Sequence, residues 1–354
     1  MDSPDRPTPR AGPLVACLAA ALLFGASSPA TKHLVGEEAL GPFTLVGILY
    51  LGAAIAVAPW ALRGVTRLAR LDAVNARRLA TSVVVGGVVA PVLWLLALRE
   101  ASSASVSIWL TLEGFLTAVV ARLFFREHVG PRTWIAVAAA LAANAALARG
   151  DDLGSWRAAL LVAGACLCWG IDNNVTSVLD GPTPAQTTLA KGAIAGTTGL
   201  LLGLVVRGEA WNPSAGTAAT ALGIGAASFG ASLVLYVASA QQLGAARSQV
   251  IFSASPFLGL VLAWTAFGEV VQPMQVGSAV VIAAAIALMT SDRHAHAHSH
   301  PATTHTHGHR HDDGHHTHTH PGVEPSTWHV HEHSHEPVTH DHPHHPDIHH
   351  RHAH

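Results

Sequence analysis

Apolar residues fill the first 292 positions of this chain in long blocks, and polar residues gather in the short breaks between them. A helix needs roughly 20 mostly apolar residues to cross the roughly 30 Å hydrocarbon layer of a bilayer. Laid along the chain, that ruler predicts ten spans, at about 12–31, 42–62, 79–98, 102–122, 132–148, 157–178, 184–206, 216–239, 248–267 and 274–290. The breaks carry charge, Gly or Pro, as in Glu37-Glu38-Ala39-Leu40-Gly41-Pro42, Arg63 to Arg78, Arg149 to Asp152 and Asp180-Gly181-Pro182. Trp60, Trp134, Trp156 and Trp211 stand at predicted span ends, where an amphipathic ring suits the headgroup level. Runs such as Ala136-Val137-Ala138-Ala139-Ala140 allow helices to approach closely in lipid, where packing drives association. The first block, with Ala26-Ser27-Ser28-Pro29-Ala30, could serve as a secretion signal. A duplication described below makes it a helix of the mature protein instead.

Composition sharpens this picture. Of 354 residues, 50% are hydrophobic and 12% charged, where about 25% charged is usual for soluble domains. Of the 26 histidines, 24 follow Asp292, and only His33 and His128 precede it. The 62-residue tail has nine apolar residues, too few to bury a core, so a single soluble globular domain is excluded. The expected fold is an all-α integral membrane protein with a disordered His-rich tail. Cys17, Cys166 and Cys168 lie in apolar stretches and form neither a CxxC motif nor a disulfide framework. With the N-terminus inside, twelve Lys or Arg fall in inner loops against five in outer ones. The positive-inside rule then places both termini of a ten-span protein in the cytoplasm, in a cell (inner or plasma) membrane.

A shift of 142 residues aligns two segments without a gap: Val92-Leu93-Trp94 with Val234-Leu235-Tyr236, Phe115 with Phe257, Glu127 with Glu269, and Pro131 with Pro273. A shift of 145 brings Phe24-Gly25 onto Trp169-Gly170 and Thr31 onto Thr176. The chain therefore divides into a segment 1–11, two five-helix repeats at 12–149 and 155–291, and a tail at 293–354. An odd number of crossings inverts the second repeat relative to the first, the arrangement of secondary transporters that rock one half against the other. The helix endings Phe124-Phe125-Arg126-Glu127 and Ala266-Phe267-Gly268-Glu269, with Ser255-Pro256-Phe257, resemble the EamA branch of the drug/metabolite transporter superfamily. That resemblance covers residues 12–291. It implies secondary transport, often export, of a small metabolite. The chain departs from the pattern in the fourth span, where Glu113-Gly114 replaces the Ser-Pro step.

Ionisable groups inside a bilayer are functional candidates by default. Glu113 lies about eleven residues into the fourth span, near the midplane. Asp172 and Lys191 flank the Asp180-Gly181-Pro182 turn at level positions of an antiparallel hairpin and can pair. Asp172-Asn173-Asn174 places three polar side chains in a row, so at least one meets a neighbour whichever way the helix turns. A lone midplane carboxyl at Glu113 is either protonated or holds a cation, and both suit coupling to a proton or a metal ion; the plainer alternative is a protonated Glu hydrogen-bonded to a neighbouring helix. No GxxxxGK[ST] loop and no nucleophile–base constellation occur, so neither ATP hydrolysis nor other enzymatic chemistry is expected. Nothing points to nucleic acid; the expected partners are the bilayer and a small-molecule or ion substrate.

The tail alternates histidine through His294, His296, His298 and His300, and again through His305, His307, His309 and His311, with the adjacent pair His315-His316. In an extended chain residues i and i+2 point the same way, so such pairs can offer two imidazoles to one ion. Imidazole suits Zn, Ni, Cu and Co. The irregular spacing suits an exchangeable, multivalent binder rather than one structural site, and no resident cofactor is required. Three functions fit: efflux of a divalent metal such as Ni, Co or Zn; export of an amino acid or other metabolite, with the tail buffering or sensing metal; and a non-transporting metal store or sensor. A pH-responsive tail and a functionless appendage are the plainer alternatives.

Overall fold

A computed structural model describes residues 11–37, 40–63, 72–125, 131–150, 154–177, 179, 182–211, 213–243 and 251–290, with 294–300, 303–309, 329–335 and 338–344 of the tail. The first half contains α1 (Ala11–Gly25), α2 (Ser27–Glu37), α3 (Pro42–Ala61), α4 (Ala73–Thr81), the π-helical segment π1 (Ser82–Val89), α5 (Ala90–Glu100), α6 (Ser103–Trp109), α7 (Leu112–Phe125) and α8 (Pro131–Gly150). The second contains α9 (Gly154–Ser177), α10 (Pro184–Leu201), π2 (Leu202–Val206), α11 (Ala215–Ile224), π3 (Gly225–Ala231), α12 (Ser232–Leu243), α13 (Ser255–Thr265) and α14 (Pro273–Thr290).

Local sequence explains where these helices begin. Pro42 and Pro184 occupy first-turn positions that have no hydrogen-bonded N–H to lose. Thr183 and Gln186 close a reciprocal capping box on α10. The Asp72 carboxylate accepts from Val74 N and Asn75 N at the start of α4. These backbone hydrogen bonds hold the exposed Asp72 carboxyl below its usual pKa range.

Among the described residues, seven helical stretches are long and apolar enough to cross a membrane: Gly12–Val35, Pro42–Ala61, Ala73–Glu100, Ser103–Phe124, Trp156–Thr176, Pro184–Val206 and Ala215–Tyr236. At the fifth, ninth and tenth expected spans the apolar helices are shorter: Trp134–Arg149, Ser255–Thr265 and Pro273–Leu288. Residues 244–250, at the start of the ninth expected span, lie outside the described set. Large apolar side chains such as Ile55, Phe124, Ile135, Leu160, Val205 and Val280 are exposed along the helices, as a lipid solvent requires.

Several spans expected to be continuous are interrupted, and the interruptions repeat. The fourth span breaks at Leu110–Thr111, where Thr111 N and Oγ1 both donate to Ile108 O. The ninth breaks at Ser253–Ala254. The third widens into π1 and the eighth into π3. Under the 142-residue shift each pair coincides to within one residue. Backbone irregularities as well as side chains were therefore duplicated.

Packing follows the same two-fold relation. α3 lies against its repeat partner α10, and α8 against its partner α14. Other large contacts are exchanged between halves: α1 packs on α12 as α9 packs on α5 and π1, and α1 on α13 as α9 on α7. The α3–α10 seam is backbone against backbone. A Cβ on Gly47 would lie 2.7 Å from Leu200 N, and one on Gly199 would lie 2.9 Å from Gly47 N. With no apolar driving force in lipid, such close approach supplies much of the association.

Four short segments of the tail are extended among the described residues. β1 (His294–His300) pairs antiparallel with β4 (Val338–His344), and β2 (Thr303–His309) with β3 (His329–His335). Alternation of histidine with Thr and Val suits extended backbone, although a two-stranded ladder alone is marginally stable in water.

Candidate functional site

The ionisable residues singled out in the sequence fall into two neighbouring groups on α9. On one side Lys191 Nζ, from α10, donates to Asp172 Oδ2 at 2.6 Å. The two side chains retain 15% and 8% exposure, so this ion pair is buried. Asp172 Oδ1 accepts from Ser82 Oγ at 2.5 Å and Thr176 Oγ1 at 3.1 Å. The carboxylate is thus met by one ammonium and two hydroxyls drawn from α9, α10 and π1. π1 makes room for it: a Cβ on Gly86 would lie 2.1 Å from Asp172 Oδ2. The Gly86 carbonyl accepts from Tyr50 OH at 3.2 Å and Trp169 Nε1 at 3.1 Å. A π-helical turn leaves carbonyls that side chains can claim, and here two aromatic donors use one.

On the other side Glu113 stands in the first turn of α7, just past the helix break, rather than midway along a continuous helix. Asn173 Nδ2 donates to Glu113 Oε1 at 2.9 Å. Asn173 is exposed, whereas Asn174 is buried and donates to Thr117 O at 3.1 Å and Gly170 O at 2.8 Å. Among the described residues no salt bridge to Glu113 occurs. The three polar residues of α9 therefore do three things: Asp172 pairs with Lys191, Asn173 faces Glu113, and Asn174 clamps α9 to α7.

A third feature occupies the equivalent place in the other half. Ser28, Ser107 and Ser255, with Phe24, Gly25, Leu110 and Pro256, line a cavity of about 10 Å³, the size of one water. Ser28 Oγ accepts from Trp94 Nε1 at 3.2 Å. Ser107 Oγ is buried and has no hydrogen-bond partner among the described residues. α1 and α13 touch here through glycine: a Cβ on Gly25 would lie 2.3 Å from Ser255 O.

Two glutamates that the sequence reading left out of the site tie the halves together. Glu209 accepts from Thr44 N and Thr44 Oγ1, both at 2.8 Å, at the start of α3. Glu269 accepts from Ser103 N at 2.9 Å, Ser103 Oγ at 2.6 Å and Ala104 N at 2.9 Å, at the start of α6. Each follows a left-handed glycine, Gly208 at φ 62° and Gly268 at φ 67°. Each also closes its turn by donating its own N–H six residues back, to Gly203 O and Ala263 O. A negative charge on helix N–H groups is the favourable orientation. The signal was present as a Gly-Glu dipeptide after two apolar spans.

Among the described residues no three His, Cys, Asp or Glu side chains converge as a metal site. Cys166 is buried, its thiol directed at Trp109 O and Leu110 O. His33 is exposed on α2, and His128 lies outside the described residues. Of the tail histidines expected to bind metal, His294, His296, His298 and His300 lie on β1 and His305, His307 and His309 on β2. His311, His315 and His316 lie outside the described residues.

Comparison with known proteins agrees with the duplicated architecture. The EamA-like transporter family matches the chain twice, over residues 11–148 and 156–291. No curated protein matches it. A solved crystal structure, described only as that of a protein, superposes with a TM-score of 0.57 at 16% identity. The match covers 78% of this chain and 94% of that one, and likeness at this identity speaks for the fold alone.

Proposed function

We propose that this chain, which belongs to the EamA-like transporter family, exports a small solute by rocking its two inverted halves against each other, with a cytoplasmic tail that gathers divalent metal. The observation that carries the proposal is Glu113, a carboxylate beside a helix break between the halves, facing an amide rather than a cation. Half-helices broken near the midplane present free dipole ends to a substrate or coupling ion. A carboxylate there favours cargo or coupling ions of positive charge: a proton, an amine or a divalent metal. The Asp172–Lys191 pair is neutral as a unit and holds α9, α10 and π1 in register beside that site. The distribution of Lys and Arg supports cytoplasmic termini in a cell membrane, which places the tail where exported metal would be collected.

Within this reading the cargo is a divalent metal such as Ni, Co or Zn. A metabolite exporter with a metal-sensing tail is the second reading, favoured by the lack of a three-ligand cluster among the described residues. The test is flux in proteoliposomes of the full chain, a truncation after Asp292, and Glu113→Gln. Metal export should survive truncation in weakened form and vanish in Glu113→Gln. Metal binding by the full chain without metal flux would overturn the metal-cargo reading. Undiminished flux in Glu113→Gln would remove Glu113 from the mechanism.

A further inference from the structure

Where three span ends meet, the two halves border an open pocket of about 540 Å³. Its walls include Pro42 and Phe43 at the start of α3, Leu96 and Arg99 near the end of α5, and Arg207 and Glu209 in the turn after π2. Pro42 opens its membrane span, Arg99 is the last residue but one of its own, and Arg207 directly follows a third. The pocket therefore sits at the level of the lipid headgroups. Its volume lies within the roughly 300–1,000 Å³ usual for small-molecule sites.

The charges are unevenly committed. Glu209 spends both carboxylate oxygens on Phe43 N, Thr44 N and the Thr44 hydroxyl, so its negative charge is directed into α3. Neither Arg99 nor Arg207 forms a salt bridge among the described residues. Arg99 Nη2 donates to Leu40 O at 2.6 Å, which fixes its planar fork while leaving its other N–H groups available. Two exposed arginines, one from each half, thus line a pocket whose other walls include Pro42, Phe43 and Leu96.

We infer that this pocket binds an oxoanion, a phosphate or carboxylate, at the membrane surface. Guanidinium matches such groups bidentately, and Phe43, Pro42 and Leu96 would cover the apolar part of the same ligand. The anion is either the headgroup of an anionic phospholipid or a free solute. Because the walls come from both halves, its occupancy is tied to their relative position.

The experiment uses the full chain in nanodiscs of phosphatidylcholine, with and without phosphatidylglycerol, and separately with inorganic phosphate added to the neutral discs. Thermal unfolding followed by tryptophan fluorescence reads the response. Arg207→Gln is the principal variant, since its side chain makes no described hydrogen bond, and Arg99→Gln is its companion. Arg149→Gln, at the exposed end of α8, removes the same charge elsewhere. A rise in Tm with phosphatidylglycerol that Arg207→Gln loses and Arg149→Gln keeps identifies a headgroup site. The same pattern with phosphate in neutral discs identifies a free-anion site, with affinity falling about tenfold or more in Arg207→Gln. Equal responses in wild type and Arg207→Gln, or equal losses in Arg207→Gln and Arg149→Gln, overturn the assignment.

Discussion

Replacing Lys191 by Met removes the ammonium from Asp172 while keeping most of the side chain's apolar volume. The carboxylate is 8% exposed and keeps two hydroxyl donors, Ser82 and Thr176. Breaking a buried pair by removing one partner costs about 3–5 kcal/mol, because an uncompensated charge stays behind. With two of its three donors retained, Lys191→Met should fall at the lower end, about 3 kcal/mol. Asp172→Asn should fall at the upper end, since the Lys191 ammonium has no other acceptor given by the structure. The double variant buries no charge and should lie within about 2 kcal/mol of wild type, because neutral replacements of buried pairs are often tolerated. A double-mutant cycle on the full chain in detergent, read by thermal and denaturant unfolding, measures this coupling. If the double variant loses as much as the two singles added together, the pair is not the structural unit described above. Transport by the folded double variant then decides its role: retained flux marks the pair as scaffold, and lost flux makes it part of the coupling machinery.

Four further outcomes follow from named contacts. Gly86→Ala places a methyl 2.1 Å from Asp172 Oδ2, so it should break the ion pair and lower Tm at least as far as Lys191→Met, in the same unfolding assay. Glu269→Gln weakens charge-assisted bonds to Ser103 and Ala104, each worth about 1.5–3 kcal/mol. It should open that end of the bundle, read as faster thiol labelling of a cysteine placed beside α6. Asp72 is held below its normal pKa by its cap bonds, so its contribution is complete above the unfolded aspartate pKa and lost as pH falls through the lower folded value. Amide exchange at the start of α4 should rise only in that acidic window and become insensitive to it in Asp72→Ala. Truncation after Asp292 should abolish stoichiometric Ni or Zn binding, measured by titration calorimetry, while leaving the Tm of the bundle unchanged.

Much of the architecture was legible because a bilayer restricts the choices. Long apolar blocks must be helices there, and Pro42, Pro184 and the Asp180-Gly181-Pro182 turn mark where they begin or reverse. The partnership of Asp172 and Lys191 could be anticipated because their positions are level about a turn, a matter of counting. What stayed hidden was backbone geometry. Nothing in the residue pattern of Ser82–Val89 announces a π-helix, since Val and Gly tolerate either winding, yet that winding puts the Gly86 carbonyl before Tyr50 and Trp169. The break at Leu110–Thr111 was equally silent, because a threonine that bonds back to Ile108 O is common inside unbroken helices.

The duplication makes one last comparison possible within a single chain. Under the two shifts Glu113 corresponds to Ser255 and Asn173 to Ser28. In the first case α7 and α9 bring together a carboxylate and an amide. In the second, α13 and α1 bring together two hydroxyls around a water-sized cavity beside Ser107, unpartnered among the described residues. The helix breaks, the glycine contacts at Gly170 and Gly25 and the π segments are common to both halves. The chemistry is not. The breaks are kept symmetric, while the Glu113 carboxylate stands on one side only. On the proposed reading, Glu113 would change protonation or hold a cation at one crossing only, opposite a neutral, water-sized cavity lined by serines. If charge were needed only to join helices, Ser255→Glu with Glu113→Ser would preserve function. A transporter that uses Glu113 for coupling should instead fold in this exchanged form and fail to transport.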